Sequence, residues 1–539
     1  MTYRPEIDGL RAISIAVVVL YHGGFKFSSG GFIGVDVFFV ISGFLITTII
    51  QREIKEKRFS LLNFYEKRCR RILPPLLVMV FVVTLVSFKA LPPPEYQEHG
   101  AAIFAMLIFV SNIFFYNNIG YWSPAADTMP LIHTWSLAVE EQFYLVFPLL
   151  LLILAKVSAH STQAGVAKIR SQLSPLILLI LAIMSLWLGV AGIKENPSAV
   201  FYLPQYRAWE LLLGGLLVFM PRQLTLKPRP FTTSILGLVG ISCIILPAIF
   251  YTSSTVFPAM AAIPPCLGAA IIIYIHSSGV ESGLVGRFLS LPPMIGLGKI
   301  SYSLYLWHWP VFVLYSFITL DSFVPAEKPI SSLCLIFVSI WFSIISYYFI
   351  EQPVRRRQIL SSRIKLFATS ATCLLILLVF GAIIKHYGGL PFRVPPRVSL
   401  YAESLKPPTT SELQRTSYYS SQIAHKAHPY TQDAKPQDAL ILGARTQKKE
   451  LDFLIWGDSH AYRWGYAVAE LAEQYNQTGI NGALGNILPF LDFEGLIFHS
   501  PGAPQTKRIQ LYNHEILDII KHYKIKHVII ASRFFSGCP

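Results

Sequence analysis

Twelve apolar runs, each near the ~20 residues that a helix needs to cross a bilayer, decide what this chain can fold into. They lie at 8–25, 33–51, 73–91, 100–118, 137–155, 173–193, 199–220, 232–251, 257–276, 297–320, 329–350 and 364–386. The rest of the composition agrees: 53% of the 539 residues are hydrophobic, only 14% are charged, and the mean hydropathy is +0.50. Those values place the chain in the membrane class and not among ordinary soluble domains. The first run contains Arg11 and lacks a small-residue cleavage site, so it reads as a retained membrane helix.

Charge then assigns sides. Of the net +15, residues from 393 onward carry 16 Lys+Arg against 13 Asp+Glu, and the apolar part carries 29 against 17. A basic excess on a membrane portion belongs to cytoplasmic loops. No basic patch interleaved with exposed aromatics points to nucleic acid. The strongly basic connections are 52–71, 156–170, 222–229 and 355–365. Removing one span between 91 and 137 puts all four on the side of the N-terminus. The run at 100–118 is the one to demote to a re-entrant or interfacial segment, because Ser111, Asn112, Tyr116, Asn117 and Asn118 make its far half polar. Eleven spans remain. The N-terminus is then cytoplasmic, and everything after about residue 387 lies outside.

Beyond the last run the pattern changes. Residues 387–450 are rich in Pro, Ser, Tyr and Gln and read as a linker or extension. Leu451–Trp456, bounded by Gly457, reads as a buried strand. Arg463–Gln474 and Arg508–His522 have helical spacing, and His527–Ala531 is a second strand. The six cysteines form neither a disulfide framework nor a metal site.

Ionisable groups inside membrane helices are costly and mark function. Arg11 and His22 stand eleven residues apart in the first run, about three turns and ~16 Å along one face. A cation below and an imidazole above suit a substrate crossing part of the membrane; a snorkelling Arg and a hydrogen-bonded His are the plainer reading. Asp36, Ser42 and Gly43 lie in the second run, where small residues also serve close packing. Lys67, Arg68, Arg70 and Arg71 crowd the start of the third, as a positive-inside anchor or as a phosphate site. Glu140 and Glu141 open a helix whose dipole they complement. Arg207 and Glu210, one turn apart, can pair with each other. His308 is a second intramembrane imidazole.

Taken together these motifs resemble the acyltransferase-3 family of membrane O-acyltransferases. The resemblance rests on Arg11-x10-His22, Gly34-Val-Asp-x-Phe-Phe-x-x-Ser42-Gly43, and Phe64-Tyr65 followed by Lys67-Arg68-x-x-Arg71-Ile72-x-Pro74. It continues through Trp135-Ser-Leu-x-x-Glu140-Glu141-Gln-Phe-Tyr144, Arg207-x-x-Glu210, Ser301-Tyr-x-Leu-Tyr305-Leu-x-His308 and Glu351-x-Pro353-x-Arg355. These motifs cover about residues 3–357, in family order. The resemblance implies a polytopic α-helical membrane domain at 1–357 with a ten-helix core, and an additional helix within 358–390. It also implies that Arg11 and His22 are essential, that Arg68 and Arg71 sit at the donor end, and that Asp36, Ser42, Glu140, Glu141, Arg207, Glu210 and His308 support the site. The implied reaction takes acetyl from cytoplasmic acetyl-CoA to an extracytoplasmic glycan such as lipopolysaccharide, at a bacterial inner membrane. No permanently bound cofactor or metal is expected.

After the 391–450 linker, Leu451–Trp456 followed by Gly457-Asp458-Ser459-His460 resembles the first block of an SGNH hydrolase-like domain, an α/β flavodoxin-like fold at 451–539. The resemblance makes Ser459 the nucleophile, Gly485 (with Gly482 as rival) the second-block glycine and Asn513 the third-block asparagine. No Asp-x-x-His follows within 451–539, so the module reads as incomplete, by truncation or because a separate chain completes it. Two rival functions remain open: a flippase or transporter of a lipid-linked glycan using the same charges as a polar path, and an acyltransferase whose outer module only binds glycan.

Overall fold

The computed structural model describes residues 3–118, 128–159, 173–220, 230–277, 283–319, 329–393, 440–443, 452–457, 468, 472, 475, 477–483, 516–522 and 524–531. The chain divides into two compact units, one over Met1–Leu91 and Glu95–Leu390, the other chiefly Pro391–Pro539.

The first unit is helical. Its elements are α1 (Pro5–His22), α2 (Gly34–Lys55), α3 (Leu61–Ala90), α4 (Pro93–Leu107), α5 (Ser111–Asn118), α6 (Thr134–Ala159), α7 (Leu173–Gly192), α8 (Pro197–Tyr202), α9 (Pro204–Leu216), α10 (Pro230–Phe250), α11 (Ile263–Ser277), α12 (Leu284–Leu289), α13 (Pro292–Thr319) and α14 (Pro329–Ile345). α14 runs through a π-helical turn, Ser346–Glu351, into α15 (Gln352–Arg355), and α16 (Arg363–His386) follows. Among the described residues, eight helical segments are long and apolar enough to cross a membrane. Two long helices fall outside that set, α1 with its Glu6, Asp8 and Arg11, and the more polar α13. These two carry His22 and His308, and they pack along each other.

Local chemistry explains the boundaries. Ser60 caps α3 by accepting from the Asn63 backbone N–H at 3.4 Å, so the helix starts at Leu61, twelve residues before the apolar run, and takes Cys69 and its basic neighbours out of any loop. Ser362 caps α16 through the Lys365 N–H at 3.1 Å. The run at 100–118 is broken between α4 and α5, where Phe109 takes a positive φ of 55°. Neither piece reaches ~20 residues. The polar half turns into the protein: Asn112 donates to the Tyr202 carbonyl at 3.2 Å and accepts from Gln142 at 2.8 Å.

Glycines set the closest helix crossings. A Cβ on Gly43 of α2 would overlap the Leu211 carbonyl of α9, and one on Gly214 of α9 would overlap the Val40 carbonyl of α2. The contact is reciprocal, as expected where small residues let backbones touch. Gly100 of α4 and Gly381 of α16 repeat the device, each Cβ position lying 2.8–2.9 Å from the other's carbonyl oxygen.

Two basic connections meet at one end of this unit. Buried Glu66 accepts from Arg70 at 3.0 Å, Arg357 at 3.0 Å and Arg363 at 2.8 Å. Arg70 also donates to the carbonyls of Leu360 at 2.6 Å and Ser361 at 3.1 Å. The stretch 52–71 and the stretch 355–365 therefore share a face.

The second unit contains a four-stranded sheet in the order β1 (Leu440–Gly443), β3 (Thr478–Ala483), β2 (Phe453–Gly457), β4 (His527–Ala531). β2 runs parallel to both β3 and β4, and β1 is antiparallel to β3. Phe453, Leu454, Ile455 and Trp456 are buried, which accounts for the unbroken apolar run. Ser459, Gly485 and Asn513 lie outside the described residues; Gly482 is in β3, level with Trp456.

Candidate active site

Helical periodicity collects five of the candidate residues, Arg11, Ser42, Arg68, Arg71 and Glu140, around one cavity, which His22 and His308 do not line. From α2, Val35, Phe38, Ser42, Leu45 and Ile49 recur at three- and four-residue steps; α3 adds Arg68, Arg71 and Ile72. α6 presents Ser136 and Glu140, α13 presents Ser301, Tyr302 and Tyr305, and α1 contributes Arg11. The cavity holds about 280 Å³. One wall is apolar and the other carries hydroxyls, a carboxylate and three guanidinium groups.

The three cations differ in their bonding. Arg68 stacks over the Tyr144 ring at 4.0 Å and approaches Glu141 at 3.4 Å, so part of its charge is already met. Among the described residues Arg11 bonds to Asp8 alone, at 3.4 Å, and Asp8 is also bonded by Tyr3 at 2.8 Å. Arg71 makes no hydrogen bond or ion pair among the described residues, although Arg11, Arg68, Arg355 and Glu351 all bear on it electrostatically. Glu351, Glu140 and Glu141 act on Arg71 through space and balance part of its charge, but among the described residues its guanidinium donors stay unengaged, an arrangement suited to an anionic group. Glu140 is occupied differently: it accepts from Ser42 at 2.9 Å and from Tyr144 at 3.0 Å.

At the other end of the cavity Tyr305 leads to a group of imidazoles. Its hydroxyl donates to the His133 carbonyl at 2.7 Å and lies 2.7 Å from Ser136 Oγ. One turn further along α13, His308 is fully buried, with Nδ1 3.0 Å from the Leu304 carbonyl and 2.8 Å from that of Tyr305. Carbonyls only accept, so this network assigns the proton to Nδ1 and leaves a lone pair on Nε2. His22 Nδ1 sits 3.1 Å from that Nε2 and must be the donor. The second nitrogen of His22, Nε2, therefore keeps its lone pair on a half-buried ring. Trp309 packs edge-on against His22 at 4.6 Å and is itself held by donating to the Met129 carbonyl at 2.8 Å.

Residues 4–348 match the family described as acyltransferase domain, and residues 425–537 match the SGNH domain that occurs fused to such domains. The chain belongs to this acyltransferase family. Curated relatives include the O-acetyltransferase OatA of Staphylococcus aureus (strain NCTC 8325 / PS 47), 33% identical over 365 residues, which covers 66% of this chain and 58% of the relative. The peptidoglycan O-acetyltransferase OatA of Listeria monocytogenes serovar 1/2a is 32% identical over 366 residues, covering 66% of this chain and 56% of the relative. A putative O-acetyltransferase, SAS0844, of Staphylococcus aureus (strain MSSA476) is 31% identical over 366 residues, covering 67% and 58%. The matched part thus spans a little under three-fifths of these relatives. No solved structure gives a significant match.

The structure sorts the remaining acyltransferase motif residues into other places. Arg207 is buried between Asp36, at 2.8 Å, and Glu210, at 2.8 Å, with the rings of Phe39, Trp135, Phe201 and Phe257 5.5–5.8 Å away. This ion cluster ties α2 to α9 and does not line the cavity. Asp36 and Ser42, six residues apart on α2, consequently serve different partners. Glu141 is engaged with Arg68. Tyr305 and Ser136 lie inside the motifs, and their helical offset from His308 and Glu140 is the sequence signal for their place in the site. His133 stood outside the motifs, and nothing in the sequence singled it out.

Proposed function

We propose that this acyltransferase is a membrane O-acetyltransferase that takes acetyl from acetyl-CoA at the cytoplasmic face and transfers it to a hydroxyl of an extracytoplasmic glycan. The observation that carries this reading is the cavity itself: the unengaged guanidinium of Arg71 beside the Asp8-paired Arg11 at one end, and Tyr305 leading to the His308–His22 pair at the other.

In this reading the guanidinium groups of Arg71, Arg68 and Arg11 bind the phosphates of the donor, a role suited to fixed forks with unused donors. The serine and tyrosine hydroxyls of one wall and the aliphatic wall from α2 accommodate the arm that bears the thioester. His22 Nε2, with its lone pair aimed away from His308, accepts the proton of the attacking hydroxyl. The cluster of basic connections around Glu66 favours a cytoplasmic position for that end and for the N-terminus, under the positive-inside rule. The SGNH domain then lies outside a cytoplasmic membrane.

The named activity of the Listeria relative favours peptidoglycan over the lipopolysaccharide expected from the sequence, and a muramic or glucosamine hydroxyl is the proposed acceptor. Mass spectrometry of wall glycans from cells carrying His22→Ala tests the reading. O-acetylation should vanish; an unchanged acetyl content rejects it. Ser459→Ala in the same assay separates direct transfer, which leaves acetylation intact, from passage through the SGNH serine, which abolishes it.

A further inference from the structure

The turn before α6 holds an imidazole that the mechanism above does not use. His133 is 4% exposed, and among the described residues its ring nitrogens meet only the backbones of Pro130 and Leu306, in poor hydrogen-bond geometry, and no side chain. A neutral imidazole carries one N–H and one lone pair, and burying both unmatched is costly. A side chain kept in that state calls for a reason.

Its surroundings supply one. The ring centroid of His133 is 5.9 Å from that of His308, with the planes at 75°, and 5.6 Å from that of Tyr305. The Tyr305 hydroxyl is bonded to the His133 carbonyl at 2.7 Å, which locks the turn against α13. Among the described residues, the titratable groups facing His308 are His22 from α1, His133 from this turn and Tyr305 from its own helix, and Tyr21 packs beside His22. Among the described residues no carboxylate bonds to any of the three imidazoles. A positive charge arriving at His308 therefore finds two carbonyls at Nδ1 and, on another side, the ring of His133.

We propose that His133 is a positioning residue for acyl transfer: it acts through His308, accommodating the charge that ring acquires when His22 works as the base. The inference rests on the function proposed above. In the transfer, the C–S bond of the thioester breaks and the C–O bond to the acceptor forms. The hydroxyl proton passes to His22 Nε2 as the Nδ1 proton of His22 moves to His308 Nε2. The thiolate leaves and takes a proton from solvent, and the imidazole pair later returns one to solvent, so the balance closes. In the intermediate both N–H groups of His308 are taken, by the two carbonyls and by His22 Nδ1, and the crossed ring of His133 acts on the cation through its π system.

The test uses the full chain in liposomes, radiolabelled acetyl-CoA and purified peptidoglycan glycan strands as the acceptor probe, with initial rates measured against pH. His133→Phe keeps a buried ring and removes both nitrogens. It is expected to lower kcat about tenfold and to move the acid limb of the profile about one pH unit lower, since a pair that holds a proton less well is a weaker base. The KM for acetyl-CoA should not change. His133→Gln, which restores a polar atom, should recover part of the rate and of the shift. A wild-type profile in both variants overturns the inference, as does a loss of rate that follows only the amount of folded protein. His22→Ala is the control: if it remains active, the base assignment fails and this inference with it; if it is inactive while both His133 variants behave as wild type, the role of His133 alone is rejected.

Discussion

His22 Nδ1 lies 3.1 Å from Nε2 of His308, 286 residues further along the chain. The two helices that bring them together are the long ones too polar to pass as ordinary membrane spans, which ties the departure from apolarity to the site. Because His308 spends its only proton on the Leu304 and Tyr305 carbonyls, it orients His22 without competing for the same proton.

His308→Ala removes the acceptor that fixes the His22 tautomer. Loss of an oriented base is expected to cost about 10²-fold in kcat, at the lower end of what general-base catalysis supplies. The KM for acetyl-CoA should stay within a factor of two or so of wild type, as the donor end is untouched. A variant with a raised KM and normal kcat would place His308 in donor binding instead.

Among the described residues Arg71 makes no ion pair, and the carboxylates near it keep other partners, Glu351 with Arg355, Glu141 with Arg68 and Glu140 with Ser42 and Tyr144, so its truncation strands none of them. Arg71→Ala should therefore fold, while losing one charged contact to the donor of about 1.5–3 kcal/mol, or roughly 10- to 100-fold in kcat/KM for acetyl-CoA. Steady-state kinetics with acetyl-CoA as the varied substrate measure this directly.

Arg207→Ala should act on stability and not on the donor. It leaves Asp36 and Glu210 facing each other in the protein interior, and breaking such a buried cluster costs about 3–5 kcal/mol. A much reduced melting temperature in detergent is expected. A well-folded but inactive Arg207→Ala protein would instead assign the cluster to catalysis.

Gly214→Ala tests the α2–α9 crossing, where a methyl group meets the Val40 carbonyl. Overpacking of this kind costs about 1–3 kcal/mol. Because Ser42 lies on the same α2 segment, glycan acetylation should fall together with the melting temperature.

Much of this arrangement is legible in the chain. Hydrophobic run length locates the helices, and the eleven-residue step places Arg11 and His22 on one stripe of α1. The polar residues of 100–118 mark it as the run that does not span, since Ser111 and Asn112 require partners that a lipid-facing helix lacks, while the break after Leu107 is seen only in the structure. What is not legible depends on long-range pairing. Asp36 meets Arg207 across 171 residues, and neither periodicity nor spacing says that Asp36 faces α9 while Ser42 faces the cavity. His133 is hidden for a similar reason: a lone histidine in a turn gains meaning only when α13 brings His308 beside it. The strands at Leu451–Trp456 and His527–Ala531 are read from their apolar runs, whereas β3 with its two glycines gives no comparable signal, and β1, though apolar, is only four residues long and lies within the stretch read as linker.

Transfer of label across the bilayer tests the central claim most directly. With the protein in sealed liposomes, radiolabelled acetyl-CoA confined to the side of Arg11 and peptidoglycan glycan strands on the other, the account predicts ester-linked label on the glycan with wild type and none with His22→Ala. Equal labelling by the two proteins, or label that never leaves the donor side, contradicts it.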